Sequence, residues 1–152
     1  MRAEGKIKVL VVSSNDTFRG PVFSMFLQTA VDNAGLKVEV QSAGMQLLPG
    51  DPQDRIPTLA VQCLSRHGLA VKGHISRWIG NLPDLDQFKI ILCCNQRIKE
   101  SVEGLRLKTG TRVKLICEPE GIAQPENNPP SYRERIEQLN QAANSMAGNL
   151  VT

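Results

Sequence analysis

The sequence lacks any hydrophobic run long enough to cross a bilayer. The apolar run Val9–Val12 is short, whereas a membrane-spanning helix needs roughly 20 consecutive apolar residues. The opening segment, residues 1–6, has none of the apolar core that a secretory signal requires. We therefore expect no membrane partner and, by default, a cytoplasmic location.

The sequence also lacks the cysteine and charge patterns that identify metal proteins and nucleic-acid-binding proteins. Its cysteines form neither a C-x-x-C pair nor a cluster with histidine; they are Cys63, Cys93, Cys94 and Cys117. We expect no disulfide framework, no metal site and no cofactor. The net charge is only +3 and the basic residues are scattered, so nucleic-acid binding is not expected, although small anionic ligands remain possible.

What the chain does have is the length and composition of a globular domain: 152 residues, 41% hydrophobic and 22% charged. We predict one domain over residues 1–152, since no repeat or linker is visible. The predicted strands are Ile7–Val12, Lys37–Gln41, Phe88–Cys93 and Arg112–Ile116. The predicted helices begin at Arg19-Gly20-Pro21, Pro57, Asn95 and Ser131 and end near Gly35, Gly68, Leu105 and Leu150. This alternation predicts an α/β three-layer sandwich, a four-stranded parallel sheet with helices on both faces.

The last helix has the clearest signals. Ser131 with Glu134 three residues later predicts a capping box. Apolar residues then recur every three or four positions, so the helix should dock on the sheet. The preceding loop, residues 117–130, contains four prolines and should lie on the surface.

The turn from Ser13 to Arg19 is where chemistry is expected, because ligands of parallel sheets bind beyond the carboxyl ends of the strands. Its backbone N–H groups can converge on an anion at the start of the next helix, and Arg19 can add a bidentate contact. Neither G-x-x-x-x-G-K-[ST] nor G-x-G-x-x-G is present. Position alone leaves two interpretations, an anion site or a polar turn that joins two elements.

Three segments resemble the low-molecular-weight protein tyrosine phosphatases. Residues 9–21, VLVVSSNDTFRGP, are similar to the family's opening V-C-x-G-N-x-C-R-S-P after an apolar strand. Ser42-Ala43-Gly44 with Gly50, and residues 73–77, GHISR, are similar to its S-A-G…G and G-H-x-[SA]-R segments. The resemblance covers nearly the whole chain and implies the fold of phosphotyrosine protein phosphatase I.

The resemblance also implies a phosphate-binding loop, which here is formed by Ser13, Ser14, Asn15, Asp16, Thr17, Phe18 and Arg19. Ser13 stands where the family has its nucleophilic cysteine. A thiol has a pKa of about 8.5, a hydroxyl starts several units higher, and each unit costs about 1.36 kcal/mol at fixed pH. Gly20 replaces the serine that stabilises the family's thiolate, so we expect Ser13 to be inert.

Other loop positions depart from the family pattern as well. Asp16 stands at the family's structural asparagine, and we interpret it as a left-handed, loop-shaping residue, not as a general base. Its carboxylate would repel an incoming phosphate. Asn15 and Phe18 add bulk around the loop. Arg19 is retained, and we expect it to face an anion.

The remaining roles that the resemblance implies fall on four residues. The family's general acid, an Asp before Pro, corresponds by spacing to Gln124, an amide that cannot donate the proton; Glu118 before Pro119 is the alternative. Ser42 and His74 correspond to residues that brace the loop from behind. The aromatic residues that often line the family's substrate cleft are missing.

These observations predict a catalytically impaired relative that still binds phosphate or a phosphorylated partner at residues 13–19. Two alternatives stay open: an active phosphomonoesterase with a serine nucleophile, and a pure protein-interaction module. A redox function like that of the arsenate reductases with this fold would need a nucleophile at Ser13, so we interpret Cys93, Cys94 and Cys117 as packing residues. The sequence does not indicate the oligomeric state.

Overall fold

The computed structural model describes residues 7–13, 16, 18–45, 58–69, 78–82, 85–105, 111–116, 121–122, 126 and 128–150. Its strands are β1 (Ile7–Ser13), β2 (Val38–Gly44), β3 (Ile90–Cys93) and β4 (Arg112–Leu115). Its helices are α1 (Arg19–Asn33), α2 (Thr58–Ser65), α3 (Gln96–Glu103) and α4 (Pro129–Leu150). Two short 3₁₀ turns cover Ile79–Asn81 and Leu85–Gln87.

The four strands form one parallel sheet in the order β2-β1-β3-β4. β1 therefore lies between β2 and β3, and its residues Val9–Val12 are fully buried. A strand covered on both faces needs side chains that are apolar on both sides, which explains the unbroken run Val9–Val12. The predicted four-stranded α/β fold is confirmed.

Helices cover both faces of the sheet. The chain moves in one direction from β1 through α1 to β2, and in the opposite direction from β3 through α3 to β4. Because crossovers between parallel strands are right-handed, α1 and α3 lie on opposite faces. α4 packs against α1, so the long last helix shares the face of α1.

The predicted end of α1 is confirmed at Gly35. This residue has a positive φ of 74°, which glycine adopts without strain. Beyond it, the N–H of Leu36 donates to the carbonyl of Val31 at 2.9 Å. This backbone bond satisfies one of the carbonyls that the end of a helix leaves without partners.

The predicted capping box at Ser131 is wrong, because α4 begins two residues earlier, at Pro129. Asn128 caps the helix: its Oδ1 accepts from the N–H of Ser131 at 2.9 Å. Prolines suit the first turn, where N–H groups have no partner within the helix. Ser131 lies inside that turn, and its hydroxyl accepts from the N–H of Glu126 at 2.8 Å.

Several strand boundaries also differ from the prediction, two of them by more than one residue. β2 continues three residues beyond the predicted Gln41, because its pairing with β1 persists up to the Ser13–Gly44 pair. β3 begins at Ile90 and not at Phe88. Phe88 instead ends a 3₁₀ turn, with its N–H donating to the carbonyl of Leu85 at 3.2 Å. In the described part of the chain no helix has the length and apolar character needed to cross a membrane.

Candidate functional site

The loop between β1 and α1 lies at the point where the strand order changes direction. The chain leaves β1 towards β2 on one side, whereas β3 pairs with β1 on the other side. The carboxyl ends of two such strands diverge into a crevice, which is the usual ligand position in open parallel sheets. Ser13 is the last residue of β1, and Arg19 is the first of α1, so the loop 13–19 spans this crevice.

Ser13 is buried, and its hydroxyl has a structural contact. Only 2% of the residue is exposed. Its Oγ accepts a hydrogen bond from the backbone N–H of Asp16 at 3.0 Å, and its carbonyl accepts from the N–H of Met45 at 2.9 Å. Among the described residues, no histidine or carboxylate forms a hydrogen bond with this Oγ. The hydroxyl therefore has no described base to activate it.

Gly20 lies directly against the Ser13 side chain. A Cβ at position 20 would come within 2.7 Å of Ser13 Oγ and 3.3 Å of Ser13 Cβ. The first of these distances is too short for any real side chain. The glycine at position 20 therefore leaves the space that the Ser13 hydroxyl occupies in its present orientation.

Asp16 has the left-handed backbone that the sequence predicts for it, with a φ of 56°. The residue is completely buried. Its Oδ1 lies 3.5 Å from the position that a Cβ on Gly20 would take, so the carboxylate reaches the first turn of α1. A negative charge is stabilised at a helix N-terminus. Asp16 thus supplies, from within the chain, the charge that this end of the helix favours.

Arg19 is buried beneath the loop, with 3% of the residue exposed. Its Nη1 donates to the carbonyl of Ile122 at 2.8 Å. Burial lowers the pKa of the guanidinium from its usual value, and the nearby Cys94 opposes that change. Arginine nevertheless remains a cation in proteins. The side chain therefore brings a positive charge into the interior, next to the segment that follows β4.

Phe18 connects the loop to the last helix. The residue is 3% exposed, and its ring meets the ring of Tyr132 edge to face, with centroids 5.1 Å apart. Such pairs contribute about 0.5–1.5 kcal/mol beyond the burial of their surface. The bulk that the sequence places at position 18 therefore packs into the core, against α4.

Cys93 ends β3, Cys94 follows it, and both residues are fully buried. Desolvation raises the pKa of each thiol to about 12. At Cys94, the charge of Asp16 adds to this rise and the charge of Arg19 opposes it. Thiols with such pKa values are protonated at neutral pH and are poor nucleophiles, which supports their interpretation as packing residues.

The contact between Arg19 and the segment after β4 was not predicted from the sequence. Gly121 has a φ of 93°, and a Cβ there would lie 2.0 Å from the carbonyl oxygen of Cys94. Only glycine allows the two backbones to approach so closely, and this approach places the Ile122 carbonyl next to Arg19. A glycine in a proline-rich loop is the one sequence signal that could have indicated it.

Several predicted site residues lie outside the described part of the chain. They are Ser14, Asn15, Thr17, His74, Cys117, Glu118 and Gln124. Ser42 is described: it lies on β2, paired with Val11 of β1, two positions before the loop begins. The described residues contain no group of three or more histidine, cysteine or acidic side chains that could hold a metal ion.

Comparison with known proteins supports a family assignment. Residues 8–148 match the sequence profile described as low molecular weight phosphotyrosine protein phosphatase. No curated protein matches the chain by sequence. Structures with the same fold, by contrast, are numerous.

Three solved structures illustrate this similarity. The low molecular weight protein tyrosine phosphatase from T. tengcongensis is 20% identical with a TM-score of 0.81, over 95% of this chain and 99% of that chain. The Drosophila arginine phosphatase DARP is 22% identical with a TM-score of 0.81, over 96% and 99%. The Bacillus subtilis arginine phosphatase YwlE, solved as a cysteine-to-serine mutant whose active-site serine is phosphorylated, is 18% identical with a TM-score of 0.78, over 96% and 97%.

At these identities the structures establish the fold alone, whereas the profile match covers nearly the full sequence. Together with the parallel sheet and the buried arginine that follows β1, this match decides the assignment. The chain belongs to the low molecular weight phosphotyrosine protein phosphatase family.

Proposed function

We propose that this chain is a catalytically impaired member of its family that binds a phosphate group, free or on a partner protein, at the loop 13–19. The observation that carries the proposal is Ser13. Its hydroxyl stands at the nucleophile position, is buried, and accepts a hydrogen bond from the N–H of Asp16. No described base activates it.

The low acidity of the Ser13 hydroxyl is the main energetic obstacle to catalysis. The hydroxyl of serine ionises several units above a thiol, and each unit costs about 1.36 kcal/mol at neutral pH. A helix N-terminus contributes roughly 0.3–1 kcal/mol to an anion, and up to about 2 kcal/mol when partly buried. The Arg19 cation lies nearby, but Asp16 brings an opposing charge to the same turn. These contributions do not close the gap.

The proposal also includes the loss of the general acid, which the family pattern puts at Gln124. An amide has no acidic proton to give to a leaving oxygen. Glu118 is the alternative carboxylic acid. Under this proposal, Ser42 and His74 keep their role of supporting the loop.

Phosphate binding is proposed because the sequence has a loop at the start of a helix and an arginine at its end, and the backbone N–H groups of such a loop can bind an anion. The solved structures of this fold include a protein named as a tyrosine phosphatase and one named as an arginine phosphatase. A phosphotyrosine peptide and a phosphoarginine peptide are therefore the two ligands to compare.

The direct test is hydrolysis of p-nitrophenyl phosphate by the purified chain, with Ser13→Cys measured in parallel. The proposal expects no turnover above the rate without protein. Turnover by the unmodified chain at a rate typical of phosphatases would contradict it. A higher hydrolysis rate in Ser13→Cys would show that the missing cysteine nucleophile is the main reason for inactivity. An unchanged rate would show that Asp16, Gly20 or the general acid also limits catalysis.

Binding needs a separate test, because a pure interaction module would also be inactive. Titration with phosphate, tungstate or the two phosphopeptides, followed by calorimetry, separates the two functions. Arg19→Gln serves as the matched variant. The proposal expects saturable binding that this variant weakens, whereas an interaction module shows none.

A second candidate function has one observation in its favour. The YwlE mutant described above carries a phosphoserine at its active site, so a serine in this fold accepts a phosphoryl group in that protein. For this chain the step would form a bond from Ser13 Oγ to phosphorus and break the bond to the leaving oxygen, which takes the hydroxyl proton. Intact-mass measurement after incubation with an aryl phosphate tests it: a gain of one phosphoryl group that Ser13→Ala abolishes supports this function.

A further inference from the structure

A groove lies between the end of β4 and α4, and Arg19 at the end of the loop 13–19 is one of its lining residues. β4 is the terminal strand in the sheet order, and the cavity between its end and the last helix has a volume of about 900 Å³. We refer to it as the β4–α4 groove. Its walls include Ile116, Ile122, Arg135, Gln138, Gln141 and Met146. The volume is within the range of ligand sites, which is about 300–1,000 Å³.

The charged side chains among the described lining residues of this groove have one sign. Arg135 lies on one wall, and Arg19 lines the groove as well, whereas none of the described lining residues is acidic. The Arg19 cation is buried, and in such surroundings charge is screened less than at an exposed surface. The groove therefore favours a negatively charged occupant.

Arg135 is incompletely satisfied in its present position. Its Nη1 donates to Gln138 Oε1 at 3.0 Å, and a carboxylate oxygen of Glu134 lies 4.0 Å from the same Nη1. Its Nε is buried and has no hydrogen-bond acceptor in the described part of the chain. A buried donor without an acceptor is unfavourable. A small rotation that lets Nε and one Nη bind a carboxylate in the bidentate geometry removes this cost.

The wall of the groove that α4 forms suits an extended peptide more than a compact small molecule. The lining positions of α4 run from Arg135 to Asn149, which is about 21 Å at the helical rise. An extended peptide of about six residues covers that length. Gln138, Gln141 and Ser145 follow one another along it, and such side chains both donate to and accept from a peptide backbone.

We propose that the β4–α4 groove is a docking site for an extended acidic segment of a partner protein, with a carboxylate of that segment bound by Arg135. The lining also includes the buried apolar residues Leu115, Ile116 and Ile122, and alternate side chains of the segment face them, since successive side chains of an extended chain point to opposite sides. Arg135 lies outside the loop 13–19, although Arg19 lines the groove as well.

The test is a fluorescence anisotropy titration of the full chain with a labelled hexapeptide of alternating glutamate and valine. The matched probe replaces each glutamate with lysine. We expect saturable binding of the acidic probe alone. Arg135→Gln should weaken it at least tenfold, the loss of one charge-assisted bidentate contact. Arg133→Gln is the matched control, because Arg133 is exposed on the same helix and is not a described lining residue of the groove; it should leave the affinity unchanged.

A second measurement locates the peptide. Backbone amide chemical shifts should change at Leu115, Ile122, Gln138 and Gln141 when the acidic probe is added. Any of three results overturns the proposal: the acidic probe shows no saturable binding, Arg135→Gln and Arg133→Gln lower its affinity equally, or the chemical-shift changes are confined to the loop 13–19. Failure here leaves phosphate binding at the loop unaffected.

Discussion

The Oγ of Ser13 accepts a hydrogen bond from the backbone N–H of Asp16 at 3.0 Å, and both residues are buried. Ser13, which we propose to occupy the family's nucleophile position, thus helps to hold the shape of its own loop. A hydroxyl that acts as an acceptor for the backbone contributes to stability whether or not any reaction takes place. Stability measurements can therefore separate its structural role from a catalytic one.

Ser13→Ala should lower the free energy of unfolding by about 1–3 kcal/mol, because the buried N–H of Asp16 loses its acceptor. Urea unfolding followed by circular dichroism measures the change. Ser65→Ala is the control: Ser65 is exposed and its hydroxyl donates to the carbonyl of Gln62, so the change should stay within about 0.5 kcal/mol. Equal effects of the two substitutions would contradict a structural role for the Ser13 hydroxyl.

Gly20→Ala should destabilise the protein by about 1–3 kcal/mol, since its Cβ would lie 2.7 Å from Ser13 Oγ. The cost should be smaller in a Ser13→Ala background, where the oxygen is gone and only the contact with Cβ remains. A double-mutant cycle on unfolding free energies measures this coupling. Additive effects would mean that the two side chains do not compete for the same space.

Asp16→Asn should increase the affinity of the loop for phosphate or tungstate at least roughly tenfold, because it removes a buried negative charge at the helix N-terminus. Calorimetric titration of both forms measures the ratio. Asp16→Gly, which also suits the positive φ of 56°, should give an increase in the same direction. A lower affinity in both variants would show that the carboxylate is needed for binding.

Cys93 and Cys94 should make the protein sensitive to alkali. Folding raises the pKa of each thiol from 9.0 to about 12, so the folded state holds these protons more tightly. Their stabilising contribution is fully present below pH 9 and decreases as the pH rises towards 12, by about 1.36 kcal/mol per pH unit for each thiol. Cys94→Ala should reduce the slope of unfolding free energy against pH in this window, and an unchanged slope would contradict the prediction.

The fold could be predicted from the sequence because its core strands and helix ends have local signals. The apolar run Val9–Val12 and the glycine at position 35 each identify their own element. The start of α4 could not be predicted in the same way. Ser131 with Glu134 fits the capping pattern, but Asn128 with two prolines fits the start of a helix as well, and only the bond from Ser131 N–H to Asn128 decides between them.

Within the site, the left-handed backbone of Asp16 was predictable, since it depends on the residue type and the turn. The position of the Arg19 guanidinium was not. It depends on a carbonyl 103 residues away in sequence, that of Ile122, which reaches it because Gly121 lies against Cys94. Contacts of this kind depend on how separate elements pack, and no local pattern encodes them.

The contact between Phe18 and Tyr132 has a consequence for biosynthesis. Phe18 emerges early from the ribosome, but its packing partner lies in the last helix and is translated more than a hundred residues later. The nascent chain can pair β1 with β2 well before that, yet the aromatic ring at position 18 stays without its packing partner until α4 is synthesised. The packing around position 18 is therefore among the last contacts of the protein to form.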